Sequence, residues 1–210
     1  TSSVSLCDSA LAENPSGSLS PKFMLLRAYS IARISDERTF KDELNRLIKA
    51  WPETEEAKRA TELSVHLNQK MPELKIEEDK AIASEIFVAD TTAPYSFMVI
   101  IMDRGFNINQ ASFDVISHNI DNYTDRNYKT EGLLVNNSYI RITVSGFSDN
   151  RAAWEYFNSF DPGKIIRNSS GARIMTFLIN EANRRALEED KNPERYFLFF
   201  NENYRKGQKI

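Results

Sequence analysis

Apolar residues change their spacing partway along the chain, from the three- and four-residue steps of a helix face to the two-residue step of a strand. A chain that switches period in this way cannot be a uniform helical bundle or a uniform sheet. The first part reads as helices. Met24, Leu25, Ala28, Ile31 and Ala32 form a stripe between Pro21 and Arg33, with Ser20 as the expected N-cap and Pro21 in the first turn. Phe40, Leu44, Leu47, Ile48 and Trp51 form a second stripe after the Ser35-Asp36 turn. Thr54 caps a third helix that carries Ala57, Ala60, Leu63, Val65 and Leu67 to about Met71. Val4 to Glu13 reads as a further short helix ahead of Asn14-Pro15-Ser16-Gly17.

From about Glu85 the period is two. Glu85–Ala89 and Pro94–Met102 read as strands, the second apolar on both faces and therefore central. Asp103-Arg104-Gly105 turns the chain into a helix with Ile108, Phe113, Ile116, Ile120 and Tyr123. Lys129–Val135 and Tyr139–Ser145 form a hairpin across Asn136-Asn137-Ser138. Asp149 caps a helix with Ala152, Ala153, Tyr156, Phe157 and Phe160, which Asp161-Pro162-Gly163 ends. Arg173–Ile179 is the last strand, followed by helices from Glu181 to Glu189 and from Glu194 to Tyr204. The fold class is thus α followed by α+β. Residues 1–75 form helical hairpins, 76–93 a Glu- and Lys-rich junction with an extra strand, and 94–210 a β-α-β-β-α-β domain of ferredoxin-like order with C-terminal helices.

Composition removes several functions. With 27 basic against 30 acidic residues and no strongly basic half, nothing marks a nucleic-acid surface. Cys7 is the only cysteine, so a disulfide framework, a thiolate zinc site and a CxxC redox pair are impossible within one chain. The longest apolar run, Phe97–Met102, is far shorter than the ~20 residues of a membrane-spanning helix. The start, Thr1-Ser2-Ser3-Val4-Ser5-Leu6-Cys7, carries no signal-peptide pattern and no methionine, so the chain reads as a fragment or processed form.

Chemistry-bearing motifs are missing as well. There is no Walker A loop, GxGxxG, HExxH, GxSxG or EF-hand spacing, and the 7 glycines do not cluster. His118 has Asp114 four residues before it and Asp121 three after, which a surface ion pair explains better than a metal site. The acid pairs Glu77-Glu78 and Glu188-Glu189 fit solvated helix faces. Asn122-Tyr123-Thr124, Asn136-Asn137-Ser138 and Asn168-Ser169-Ser170 contain glycosylation sequons, a tripeptide common by chance. No cofactor, metal site or catalytic residue is expected, and the chain is read as a non-enzyme.

Between Lys22 and Thr54 the layout resembles a tetratricopeptide repeat. Ala28 stands at the small crossing position, Leu44 and Leu47 at packing positions and Pro52 at the closing position. The match is degenerate, since Phe40 stands where alanine is usual and no glycine accompanies Ala28. Trp51-Pro52-Glu53-Thr54-Glu55-Glu56-Ala57, Phe97–Met102 with Asn119-Ile120-Asp121-Asn122-Tyr123, and Tyr196–Tyr204 together resemble the C-terminal region of the Bacteroidota tetratricopeptide-repeat lipoproteins of gliding motility and type IX secretion, the PorW/SprE family. That resemblance implies a non-enzymatic assembly component with protein partners in the cell envelope. It also implies a place on the periplasmic face of the outer membrane, through a lipid anchor upstream of this chain.

A narrower resemblance covers Tyr139–Phe160. Ile140-Arg141-Ile142-Thr143-Val144-Ser145-Gly146-Phe147-Ser148, followed by a helix with Ala152 and Ala153, is similar to a strand and helix of sporulation-related repeat (SPOR) domains. It implies peptidoglycan binding across an open sheet face. Tyr139, Arg141 and Thr143, which alternate with Ile140, Ile142 and Val144, are the candidate binding residues, with Arg173 nearby on the last strand. The same residues suit a protein interface.

Overall fold

The computed structural model describes residues 2–168 and 171–205. Ser169 and Ser170 of the last sequon lie outside them. The chain is mixed α+β, with helices and a four-stranded antiparallel sheet, and it divides into two compact units, Thr1–Glu78 and Asp79–Ile210.

The first unit is helical. It contains α1 (Ser2–Glu13), α2 (Ser20–Ile31), α3 (Glu37–Ala50), α4 (Glu55–Lys70) and the start of α5 (Pro72–Ile86). α1 packs on α2, α2 on α3 and α3 on α4. Asp36 caps α3 by accepting from Thr39 N–H, and the Thr54 hydroxyl caps α4 by accepting from Ala57 N–H. Leu25, Ala28, Leu44, Leu47, Ala60 and Leu67 form the core, with Ala28, Leu44 and Leu47 fully buried. Two charges sit inside. The buried Lys41 ammonium donates to Asn68 Oδ1 at 2.5 Å and Leu74 O at 3.0 Å and pairs with Glu78 at 2.7 Å, so it is satisfied on three sides. Glu43, also buried, pairs with Arg27 from α2 and with Arg46 one turn along α3.

Two expectations are corrected here. Leu19, not Ser20, is the N-cap of α2, and the Ser20 hydroxyl donates to Asn14 O at 2.7 Å. The Glu- and Lys-rich stretch expected as a junction does hold the boundary between the units, but as the helix α5, with Glu77 and Glu78 paired to Arg38 and Lys41 of α3, and not as a stretch without regular structure.

The second unit runs β1 (Tyr95–Ile101), α6 (Ile108–Asn122), β2 (Lys129–Val135), β3 (Tyr139–Ser145), α7 (Asn150–Ser159), the single turn α8 (Pro162–Ile165), β4 (Ile174–Asn180), α9 (Glu181–Asp190) and α10 (Pro193–Phe200). A turn of π-helix over Asn201–Arg205 extends α10. The strand order is β2-β3-β1-β4 and every neighbour is antiparallel. Asn136 and Asn137 at positive φ make the β2–β3 turn, a backbone region asparagine tolerates better than most residues.

Register assigns the two sheet faces. Phe97, Val99 and Ile101 stand beside Val144, Ile142 and Ile140, and α7 covers this face with Tyr156, Phe157 and Phe160 ringed around Phe97 at 4.8–6.2 Å. α6 lies alongside, because Tyr156 donates to Asn119 Oδ1 at 2.6 Å and Asn119 donates to Thr130 of β2 at 3.1 Å. The opposite face carries Met98, Ile100, Met175 and Phe177, all buried, and Phe177 meets Tyr196 of α10 ring to ring at 4.9 Å.

The extra strand expected at Glu85–Ala89 is not formed. α5 continues to Ile86, and the Asn183 side-chain amide takes the place of a strand partner. It accepts from Val88 N–H at 3.0 Å and donates to Val88 O at 2.9 Å. Phe87 turns inward against Tyr196 at 4.9 Å and Phe199 at 5.6 Å.

Candidate protein-docking surfaces

The four residues expected on the sheet face do share one. Tyr139, Arg141 and Thr143 alternate along β3, opposite Ile100 and Met98 of β1, and Arg173 precedes Ile174 on the same side as Met175. α9 and α10 reach across this face. Tyr139 is 4% exposed, so its ring offers no platform for a sugar. Arg141 pairs with Glu188 of α9 at 2.9 Å, and Arg173 pairs with Glu194 of α10 at 2.5 Å. Thr143 is half-buried. The strand pattern placed these side chains together, but it carried no information about which helices would cover them.

His118 is likewise placed for packing. Its ring lies 5.5–6.0 Å from those of Phe160, Tyr123 and Tyr156. Burial lowers its pKa, with Asp121 opposing, so the imidazole is neutral at pH 7. Asp114 faces elsewhere. Its carboxylate accepts from Arg167 N–H at 2.9 Å and Arg167 Nε at 2.8 Å, and from Gln110 at 2.8 Å. Among the described residues, no group of three or more His, Cys, Asp or Glu is placed to hold a metal ion.

Two apolar grooves are open. The first, about 730 Å³, lies on α1 and α2 of the helical unit, and Leu6, Cys7, Phe23, Leu26, Tyr29 and Arg33 are among the residues that line it. Leu6 is 69% and Leu26 51% exposed. Its backing is fixed by Arg27, which reaches Asp8 of α1 at 2.6 Å and Glu43 of α3. Cys7 is buried, and burial and the neighbouring Asp8 raise its pKa, against Arg27, which favours the neutral thiol. The sequence held a signal for this groove. α2 is apolar on more than one side, since Phe23, Leu26 and Tyr29 lie outside the stripe that feeds the core.

The second groove, about 330 Å³, lies between α6 and the β2 edge of the other unit. Ile116 and Ile120 of α6 line it from one side and Thr130 from the other, with Tyr123, Tyr128 and Arg126 between them. Ile120 also stood in the expected α6 stripe, yet it is 62% exposed. No family model, no curated protein and no solved structure matches the chain.

Proposed function

We propose that this chain is a non-enzymatic protein-interaction and assembly component whose helical unit takes an amphipathic helix of a partner into the α1–α2 groove. The observation that carries this reading is the groove itself. Large apolar side chains stand exposed over a rigidly tied helix pair, where a second helix would bury them in the same way as α2 buries α3. Buried Ala28, Leu44 and Leu47 support a degenerate tetratricopeptide-like arrangement, an architecture that offers extended docking surfaces. The β-α-β-β-α-β order with strands β2-β3-β1-β4 supports a ferredoxin-like reading of the second unit. On the resemblance to the PorW/SprE lipoproteins, the partner proposed is a protein of the cell envelope, in a periplasmic complex of type IX secretion or gliding motility. The covered positions of Tyr139 and Arg141, and the pairing of the exposed Arg173 with Glu194, count against peptidoglycan binding on the sheet face.

The test is capture from an envelope extract with the full chain as bait, beside a pull-down on purified sacculi. The parent should recover one stoichiometric protein, and Leu26→Asp should lose it by about tenfold or more while changing stability by less than about 0.5 kcal/mol. Equal recovery by both baits would refute the groove. Sacculus binding without a protein partner would refute the assembly role.

A further inference from the structure

The two edges of the sheet are treated differently. At β4, α10 packs against the strand and the Tyr196 hydroxyl donates to Leu178 O at 3.0 Å. At β2, which pairs only with β3, no described residue takes the outward N–H and C=O groups. Unpaired edges are usually blunted by lysine, proline or a bulge. β2 has Lys129 and Glu131 toward its start, but Leu133 and Leu134 beyond them are 44% and 39% exposed. Alongside runs the groove against α6, and its spacing is set by contact. A Cβ at Gly132 would collide with Ser112 Oγ, so the helix approaches the strand as closely as glycine permits. The Asn119–Thr130 hydrogen bond at 3.1 Å ties the same two elements together. Arg126 lines the groove and makes no salt bridge among the described residues.

We propose that the β2 edge is a strand-addition site for an extended segment of another protein, one with apolar residues at alternate positions and an acidic group facing Arg126. The backbone of the occupant follows from the hydrogen-bonding groups on offer. A strand can satisfy the outward amides and carbonyls of β2, whereas a helix has none to give. Its side-chain pattern follows from the two-residue period: every second residue falls toward Ile116 and Ile120, and the others toward Leu133. Its charge follows from Arg126. A second copy of this chain fits less well. Antiparallel pairing of two β2 strands centred on Gly132, the register of full overlap, sets Glu131 against Leu133 and Lys129 against Val135, which leaves every charge facing an apolar side chain. This site is independent of the groove on the helical unit.

The experiment is selection of a displayed library of random peptides on the full chain, followed by amide hydrogen exchange with the winning synthetic peptide. Peptides of alternating apolar pattern with an acidic residue should be enriched, and alternate β2 amides should become protected. Ile120→Glu should weaken binding by about tenfold and Arg126→Ala by about threefold, with unchanged circular dichroism. N-methylation of the peptide's ladder-forming amides should abolish it. No enrichment, protection confined to α1 and α2, or binding that survives N-methylation would each overturn the proposal. Protection of β2 that grows with protein concentration and without peptide would overturn the choice of occupant in favour of a second copy.

Discussion

Replacing Asp114 by asparagine tests the packing of the sheet unit at one charged point. The side chain is nearly inaccessible, yet it accepts from the main chain and guanidinium of Arg167 and from Gln110, with a closest approach of 2.6 Å to Arg167. These bonds hold the segment after α8 against α6. Asparagine keeps the shape but turns one acceptor oxygen into a donor facing other donors, and it removes the charge opposite Arg167. Breaking a fully buried pair costs about 3–5 kcal/mol. Because Arg167 is 60% exposed, water recovers part of that loss, and about 2–3 kcal/mol is expected. For a chain of this size that lowers the midpoint by roughly 4–12 °C. The assay is thermal and urea unfolding followed by Trp154 fluorescence in a Trp51→Phe background, which isolates the sheet unit. A loss below about 0.5 kcal/mol would refute the assignment.

The same residue fixes a pH signature. Burial works to raise the Asp114 pKa, but the hydrogen bonds from Arg167 and Gln110 outweigh it and hold the carboxyl below its ordinary range. A depressed folded pKa stabilises the fold fully above the unfolded value of about 3.9, and that contribution fades as pH falls through the lower folded value. The gap between parent and Asp114→Asn should therefore be constant near neutrality and close on acidification below about pH 4. A gap that widened on acidification would contradict this account.

Two further substitutions probe the two cores. Tyr196→Phe removes the hydroxyl that bonds Leu178 O and should cost about 0.5–1.5 kcal/mol in the sheet unit without altering its fold. An unchanged urea midpoint would show that this bond does not hold α10 to β4. Ala28→Leu overfills a fully buried position of the helical unit and should cost about 1–3 kcal/mol, read from Trp51 fluorescence in a Trp154→Phe background. A neutral outcome would mean that the helices around Ala28 are not tightly crossed.

Local patterns specified most elements on their own. Lys129–Val135 and Tyr139–Ser145 were legible as strands because a two-residue alternation flanks an asparagine pair suited to positive φ. Thr54 and Asp149 announced their helices because each can accept a hydrogen bond from an N–H of the first turn, and Asp36, read only as part of a turn, does the same for α3. The stretch after Met71 was not legible as a helix, since charged residues fill its middle, and Glu77, Glu78 and Asp79 there find their partners Arg38, Lys41 and Arg195 far away in sequence. Val88 was misread for a related reason. Its alternation is that of a strand, but the partner that met its backbone is an asparagine 95 residues away.

What the sequence determined by itself was the class of most segments, the division between helical and sheet-bearing parts, and the sharing of one sheet face by Tyr139, Arg141, Thr143 and Arg173. Those properties depend on spacing along the chain, which the sequence states directly. Tertiary structure decided which surfaces remain open. α9 and α10 cover the face that alternation left free, while Leu6 and Leu26 in one unit and Ile120 beside the β2 edge in the other stay exposed. A strand or helix pattern specifies that one side is apolar, but only the packing of segments far apart in sequence determines whether that side meets the chain itself or is left for a partner.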